Sequence, residues 1–172
     1  QAKGLDLVVA INVSALQFQS ASFIDDVTRA LNDVGLEPHR LELELTESIL
    51  IQHLDETLVK LEALAGLGVR ISIDDFGTGY SSMGYLKRFP VHKLKIDRSF
   101  ITGLPHDESD YAITQAIVSM GLALRLQVIA EGVETELQKN CLEQLGCNEY
   151  QGFLMSGAVD SQRLEKMLIE EN

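Results

Sequence analysis

"LELELT", Leu41–Thr46, decides the fold. In an extended chain Leu41, Leu43 and Leu45 share one face, and Glu42 and Glu44 share the other. A strand buried on both sides in a doubly wound sheet reads as a near-continuous apolar run. This one alternates strictly. A closed barrel of parallel strands explains the pattern: its apolar face meets a ring of helices, and its polar face points into the lumen, toward the mouth.

The rest of the chain supplies matching units. Strands are predicted at Leu5–Val13, Arg40–Thr46, Val69–Asp74, His92–Ile96, Gln127–Glu131 and Glu149–Met155. Helices are predicted at Phe23–Val34, His53–Leu67, Ser82–Arg88, Glu108–Leu124, Glu136–Leu145 and Ser161–Glu170, from apolar residues recurring at i, i+3, i+4 and i+7. Gly35, Gly66, Gly68 and Gly146 stand where helices stop. Alternating strands and helices specify an α/β domain with a parallel sheet. Such a barrel has eight strands and roughly 250 residues. With 172 residues, this chain is expected to be an incomplete (β/α)8 barrel. It has about six βα units, with the first two strands missing, and forms one domain from 1 to 172. A chain opening on Gln1 reads as a piece of a longer protein.

Composition narrows the function classes. The formal charge of -12 argues against binding a DNA or RNA polymer through a basic surface. No apolar run reaches the roughly 18–20 residues of a membrane span, and no signal peptide opens the chain. The expected location is the cytoplasm, with no membrane contact by this chain. Cys141 and Cys147 lack the spacing of a metal-binding set and read as buried free thiols.

The strand ends carry the chemistry. Asn12, Glu44, Asp74 with Asp75, Lys95, Glu131 and Gln151 each stand at the C-terminal end of a predicted strand. Barrels place their sites at that end. Four carboxylates and an amide oxygen are hard ligands suited to Mg²⁺, Mn²⁺ or Ca²⁺, and no His or Cys joins them to favour zinc. Without a cation the acids would repel one another. Two divalent ions sharing a carboxylate resolve that repulsion and suit phosphoryl displacement, with Lys95 orienting water or neutralising a phosphate oxygen. The plain alternatives are helix caps, a turn at Asp75 with Gly77, and a surface ion-pair cluster of Lys95 with Asp97 and Arg98. His39, His53, His92 and His106 read as solvated or capping residues.

The motifs "INVSALQFQ", "LELTES", "IDDFGTGYSSMGYLKRFPVHKLKIDRSFI", "VIAEGVETELQ" and "LGCNEYQGFLMS" occur in this order. Together they resemble the EAL-domain family of bacterial cyclic-di-GMP phosphodiesterases, from about Leu5 to Met155. The resemblance implies a barrel with one antiparallel strand that hydrolyses cyclic-di-GMP to linear pGpG with two Mg²⁺ or Mn²⁺ ions. It matches Asn12, Glu44 and Asp74 to metal ligands, with Asp74 and Asp75 as the bridge to a second ion. Glu131 matches a ligand of that ion and a candidate base, and Lys95 the lysine that holds the attacking water. Glu134 and Gln151 match substrate-lining positions. Glu47 matches the residue that anchors the loop from Phe76 to Ser82, which the family associates with dimer contacts and activation.

Departures from the family pattern shape the remaining expectations. No Glu-Ala-Leu motif precedes Asn12, and the family's proline after "QGFLMS" is replaced by "SGAVD". The parent protein is therefore expected to be the enzyme, and the isolated fragment impaired or inactive. Expected partners are cyclic-di-GMP, a second copy meeting the loop after Asp75 and neighbouring helices, and a sensor or diguanylate cyclase (GGDEF) domain. The rivals are a catalytically silent cyclic-di-GMP-binding or docking module, and an aldolase- or enolase-type barrel using Lys95 as base.

Overall fold

The computed structural model describes residues 7–79 and 83–170. Six parallel strands lie side by side in sequence order: β1 (Val9–Val13), β2 (Leu41–Thr46), β3 (Arg70–Phe76), β4 (Lys93–Ile96), β5 (Gln127–Ala130) and β6 (Glu149–Tyr150). Each strand pairs only with its sequence neighbours among the described residues, so the order never reverses as it would in a doubly wound sheet. The result is an arc of barrel with β1 and β6 at its edges.

The helices are α1 (Ala15–Gln19), α2 (Phe23–Val34), α3 (Glu47–Leu50), α4 (Leu54–Leu67), α5 (Met83–Leu86), α6 (Arg98–Ile101), α7 (Glu108–Ala123), α8 (Glu136–Leu145) and α9 (Ser161–Glu170). Local chemistry sets their ends. Asp107 caps α7 by accepting from the backbone of Ser109 and Asp110, and Thr135 with Gln138 forms a capping box on α8. Glycines in the left-handed region close α2, α4 and α8. Arg125, at φ 60°, occupies the equivalent place after α7, at roughly 1–2 kcal/mol for a residue with a side chain.

The two faces of the sheet differ as the alternation requires. Leu45, Ile71, Leu94, Ile96 and Ala130 are wholly buried beneath the helices. Phe23, Val27 and Leu31 place the buried stripe of α2 against this outer face. The lumen face is polar and also buried: Lys93 donates to Glu42 at 3.1 Å, and Glu42 is 3 % exposed. At edge strand β1 the outward Val9 and Ile11 remain about half exposed. A cavity of about 670 Å³ lies between β1, β2, α1 and α2, lined mainly by apolar side chains. No helix among the described residues is long and apolar enough to cross a membrane.

Several boundaries differ from expectation, the largest at β1 and β6, and β3 runs two residues past Asp74 to Phe76. β1 begins at Val9 rather than Leu5; residues 1–6 lie outside the described set, as does Ser82 at the predicted start of α5. β6 stops at Tyr150 instead of running to Met155. The chain there turns onto the backbone of Val133, where Val133 N–H donates to the Gln151 carbonyl and Leu154 N–H to that of Val133. Gly152 permits this approach, since a Cβ there would stand 2.2 Å from the Val133 carbonyl oxygen.

Candidate metal centre

Lys95 is the centre of the mouth. It reaches inward from β4, is 5 % exposed, and meets Glu131 Oε1 at 2.7 Å, Glu44 Oε2 at 2.9 Å and Asp74 Oδ1 at 3.0 Å. Strands β2, β3 and β4 and the residue after β5 each send one side chain to this point because all share lumen parity. Burial on its own would lower the pKa of Lys95. The carboxylates of Glu131, Glu44 and Asp74 around its ammonium outweigh burial and push it upward. This buried position excludes a surface ion-pair cluster with Asp97 and Arg98.

Asn12, at the end of β1, completes the cluster. Its amide has one terminal atom 3.2 Å from Glu44 Oε2 and 3.1 Å from Asp74 Oδ2. With NH₂ in that place the amide donates to both carboxylates. With oxygen there, it is a third acceptor facing Glu44 Oε2 and Asp74 Oδ2, an arrangement that a cation would satisfy.

Asp75 reaches the mouth by a different route. Strand parity would send it outward, opposite to Asp74. However, β3 carries a bulge: Ile73 pairs with Leu94, but Phe76 pairs with Ile96, so three steps on β3 match two on β4. Asp75 sits within the bulge at φ 53°, in the left-handed region. That strained turn brings Asp74, Asp75 and Glu131 together, with one carboxylate oxygen from each within 4.8 Å of the others. Burial, then the charges of Asp74 and Asp97, raise the pKa of Asp75. Burial also raises that of Glu131, against the lowering effect of Lys95.

The donor set fits divalent cations. It consists of oxygens, and four carboxylates face one ammonium, leaving three formal negative charges. Asp74 Oδ1 is buried and, although close to Lys95, lacks an aligned hydrogen bond. An inward oxygen with no donor of its own is what a coordinating cation would satisfy.

The other predicted residues fall around this core. Gln151 donates to Glu131 Oε1 at 2.7 Å, which fixes the orientation of that carboxylate. Glu47 opens α3 and is 3 % exposed; its Oε2 accepts from the backbone of Gly77 at 3.1 Å and Gly79 at 3.3 Å. A Cβ on Gly79 would stand 2.7 Å from Glu47 Oε1, so the loop lies directly on this side chain. Glu134 is not brought in. It is exposed, and its backbone N–H binds Gln138. Residues 80–82 of the loop lie outside the described set.

Asp97 is a member that sequence reasoning missed. It caps α6 by accepting from Ser99 N–H at 3.0 Å, and it stands close enough to Asp75 to raise its pKa. The signal was present: Asp97 shares strand parity with Lys93 and Lys95.

The chain is similar in sequence and fold to proteins of known type. The profile of the EAL domain matches residues 1–158. The bifunctional diguanylate cyclase/cyclic di-GMP phosphodiesterase MucR of Pseudomonas aeruginosa is 53 % identical over 159 residues, covering 92 % of this chain and 23 % of MucR. This chain thus spans about a quarter of that relative's length. The structure of the PaMucR phosphodiesterase in complex with c-di-GMP superimposes with a TM-score of 0.91 at 52 % identity, covering 95 % of this chain and 66 % of that one. A manganese/cy-diGMP complex of Klebsiella pneumoniae BlrP1 superimposes at 0.78 and 32 % identity, covering 86 % and 38 % of the two chains. The match of the family profile to residues 1–158 places this chain in the EAL domain family.

Proposed function

We propose that this chain carries the hydrolytic site of a cyclic-di-GMP phosphodiesterase, which opens one phosphodiester to give linear pGpG. The observation that carries this reading is the oxygen cluster around Lys95, with both aspartates of β3 turned to one side by the bulge. Asn12, Glu44 and Asp74 are positioned to hold one divalent cation, and Asp74, Asp75 and Glu131 a second. Mg²⁺ and Mn²⁺ are the proposed ions; bound there, they would supply an activated water and offset charge on the phosphate oxygens.

The protein's own groups set the geometry. Lys95 is held by three carboxylates and presents an ammonium donor to the attacking water or a phosphate oxygen. This favours the phosphodiesterase over the aldolase- or enolase-type reading, which needs Lys95 as a neutral base. Glu131 and Asp75 stand where a carboxylate can take the proton of that water as one phosphorus–oxygen bond of the ring breaks. Gln151 orients Glu131, and Glu134 and Gln151 are proposed to meet the substrate. Glu47 holds the loop after Asp75, the proposed contact for a second copy. A sensor or GGDEF domain is proposed for the whole protein, since the chain spans 23 % of MucR.

The test is chromatography of cyclic-di-GMP incubated with the whole parent protein in Mg²⁺ or Mn²⁺ and in a chelator. We expect pGpG to accumulate only with a divalent ion and to disappear in Asp74→Asn. Tight binding of intact cyclic-di-GMP with no product in either ion refutes hydrolysis and leaves a binding module.

A further inference from the structure

The opposite end of the sheet carries the opposite charge. A cavity of about 530 Å³ lies among the loops that enter β2 to β5, lined by His39, Arg70, His92, Arg125 and Gln127 with Gly68 and Val91. No carboxylate lines it among the described residues. Two acids, one at the turn before β2 and one on β2, are already engaged. Glu37 faces Arg40 at 3.0 Å and His39 at 3.7 Å, while Glu42 accepts from Lys93 at 3.1 Å. Arg70 is in register with Glu42 yet forms no ion pair, and Arg125 forms none either among the described residues. In a chain of net charge -12, two unpaired guanidinium groups at one cavity need a reason.

Arg125 supplies a second observation. It occupies the left-handed position after α7, where α2, α4 and α8 have glycine. A cation suits the negative end of a helix, yet those three helices end without a basic residue in the last turn. Arg125 stands at the negative end of α7 and carries its side chain where backbone strain favours glycine. A residue kept at a strained position points to a role for its side chain.

His92 is preset as a donor. Its Nδ1 accepts the Ile71 N–H at 3.3 Å, so the neutral ring carries its proton on Nε2. Its backbone is locked between neighbours, with N–H to the Ile71 carbonyl at 2.9 Å and C=O to the Gln127 N–H at 3.0 Å. Arginine forks, an imidazole N–H and an amide together match the oxygens of a phosphate. The cavity volume falls within the roughly 300–1,000 Å³ usual for small-molecule sites.

We propose that this face of the sheet is an anion site for a phosphate-bearing ligand of mononucleotide size, separate from the mouth. The test is an NMR titration of the protein with pyrophosphate, and in parallel with a guanosine or adenosine monophosphate. A chelator keeps the mouth free of divalent ions. Saturable shifts of the His92 ring and the Arg125 side chain are expected. Tighter binding of the mononucleotide identifies a nucleotide, and equal binding a simple phosphate. Arg125→Gly relieves the strained position, so its melting temperature should equal or exceed the parent's while its affinity falls about tenfold or more. Arg70→Gln should weaken binding in the same direction. Shifts confined to the mouth, no saturable shift, or undiminished affinity in Arg125→Gly overturns the proposal.

Discussion

Replacing Lys95 by methionine tests the electrostatic reading of the mouth. The substitution keeps most of the buried stem and removes the ammonium that meets Glu131, Glu44 and Asp74 at 2.7, 2.9 and 3.0 Å. Breaking a buried ion pair from one side costs roughly 3–5 kcal/mol, because the remaining charge is left uncompensated. Stabilities of 5–15 kcal/mol are usual for a domain, so a folded variant remains measurable. The deficit should depend on pH, with a sign fixed by the pKa directions. Burial already raises Glu131 above 4.5, and Lys95 lowers it, so removing Lys95 raises it further. A carboxyl with a raised folded-state pKa contributes stability below its unfolded value and loses it as pH rises through the folded one. The pKa of Lys95 itself is raised above 10.5, so its contribution is undiminished below that value and is lost only as pH rises through the raised one.

Urea unfolding in a chelator checks this at two pH values. The Lys95→Met deficit should be about 3 kcal/mol or more near pH 8 and should be smaller near pH 5, toward the protonated form of Glu131. Millimolar Mn²⁺ should then stabilise the variant, because a ligand bound to the folded state adds its binding energy to stability. Equal stability of variant and parent at pH 8, or a deficit independent of pH, refutes the argument that Lys95 balances the acids.

Two further outcomes follow from local geometry. Glu47→Ala strips the acceptor from Gly77 N–H and Gly79 N–H; hydrogen bonds to a charged group contribute about 1.5–3 kcal/mol each, so cyclic-di-GMP turnover should fall at least about tenfold, and an unchanged kcat would count against the loop's part in the site. The Cys147 thiol is pushed up to about 11 by burial, and burial also raises Cys141; a thiol-reactive aryl disulfide near pH 8 should label neither in the native protein and both in guanidinium, since only the thiolate reacts.

Much of the fold was legible because it rests on period. Leu41, Leu43 and Leu45 against Glu42 and Glu44 fix the faces of β2, and the same parity carries Asn12, Asp74 and Lys95 into one cluster. The bounds of α2, α8 and α9 follow from caps and helical spacing. Features below one period were not legible. The helices α1, α3 and α6 have four or five residues each, too few to show a helical repeat. The route of Asp75 was hidden as well, since adjacent aspartates on a regular strand point apart, and only the bulge between Ile73 and Phe76 brings them together. Arg125 was invisible for a related reason: nothing in the letters "LRLQ" marks a left-handed residue.

That bulge also ties the loop to the site. Asp75 belongs to the candidate centre, and its carbonyl accepts from the Thr78 hydroxyl at 2.8 Å, closing the turn that follows. The flanking N–H groups of Gly77 and Gly79 both end on Glu47 Oε2. Glu47 opens α3 three residues after Glu44, which accepts from Lys95 near the end of β2. The loop and the carboxylate cluster are therefore fixed at both ends by one rigid segment, Glu44 to Glu47, rather than by separate supports. Moving the loop would turn Asp75 out of its left-handed position or break the contacts of Glu47. Either change alters the spacing among Asp74, Asp75 and Glu131, on which any bound cation depends. The position of residues 76–79 and the spacing of the carboxylates at this mouth are thus two readings of a single mechanical linkage.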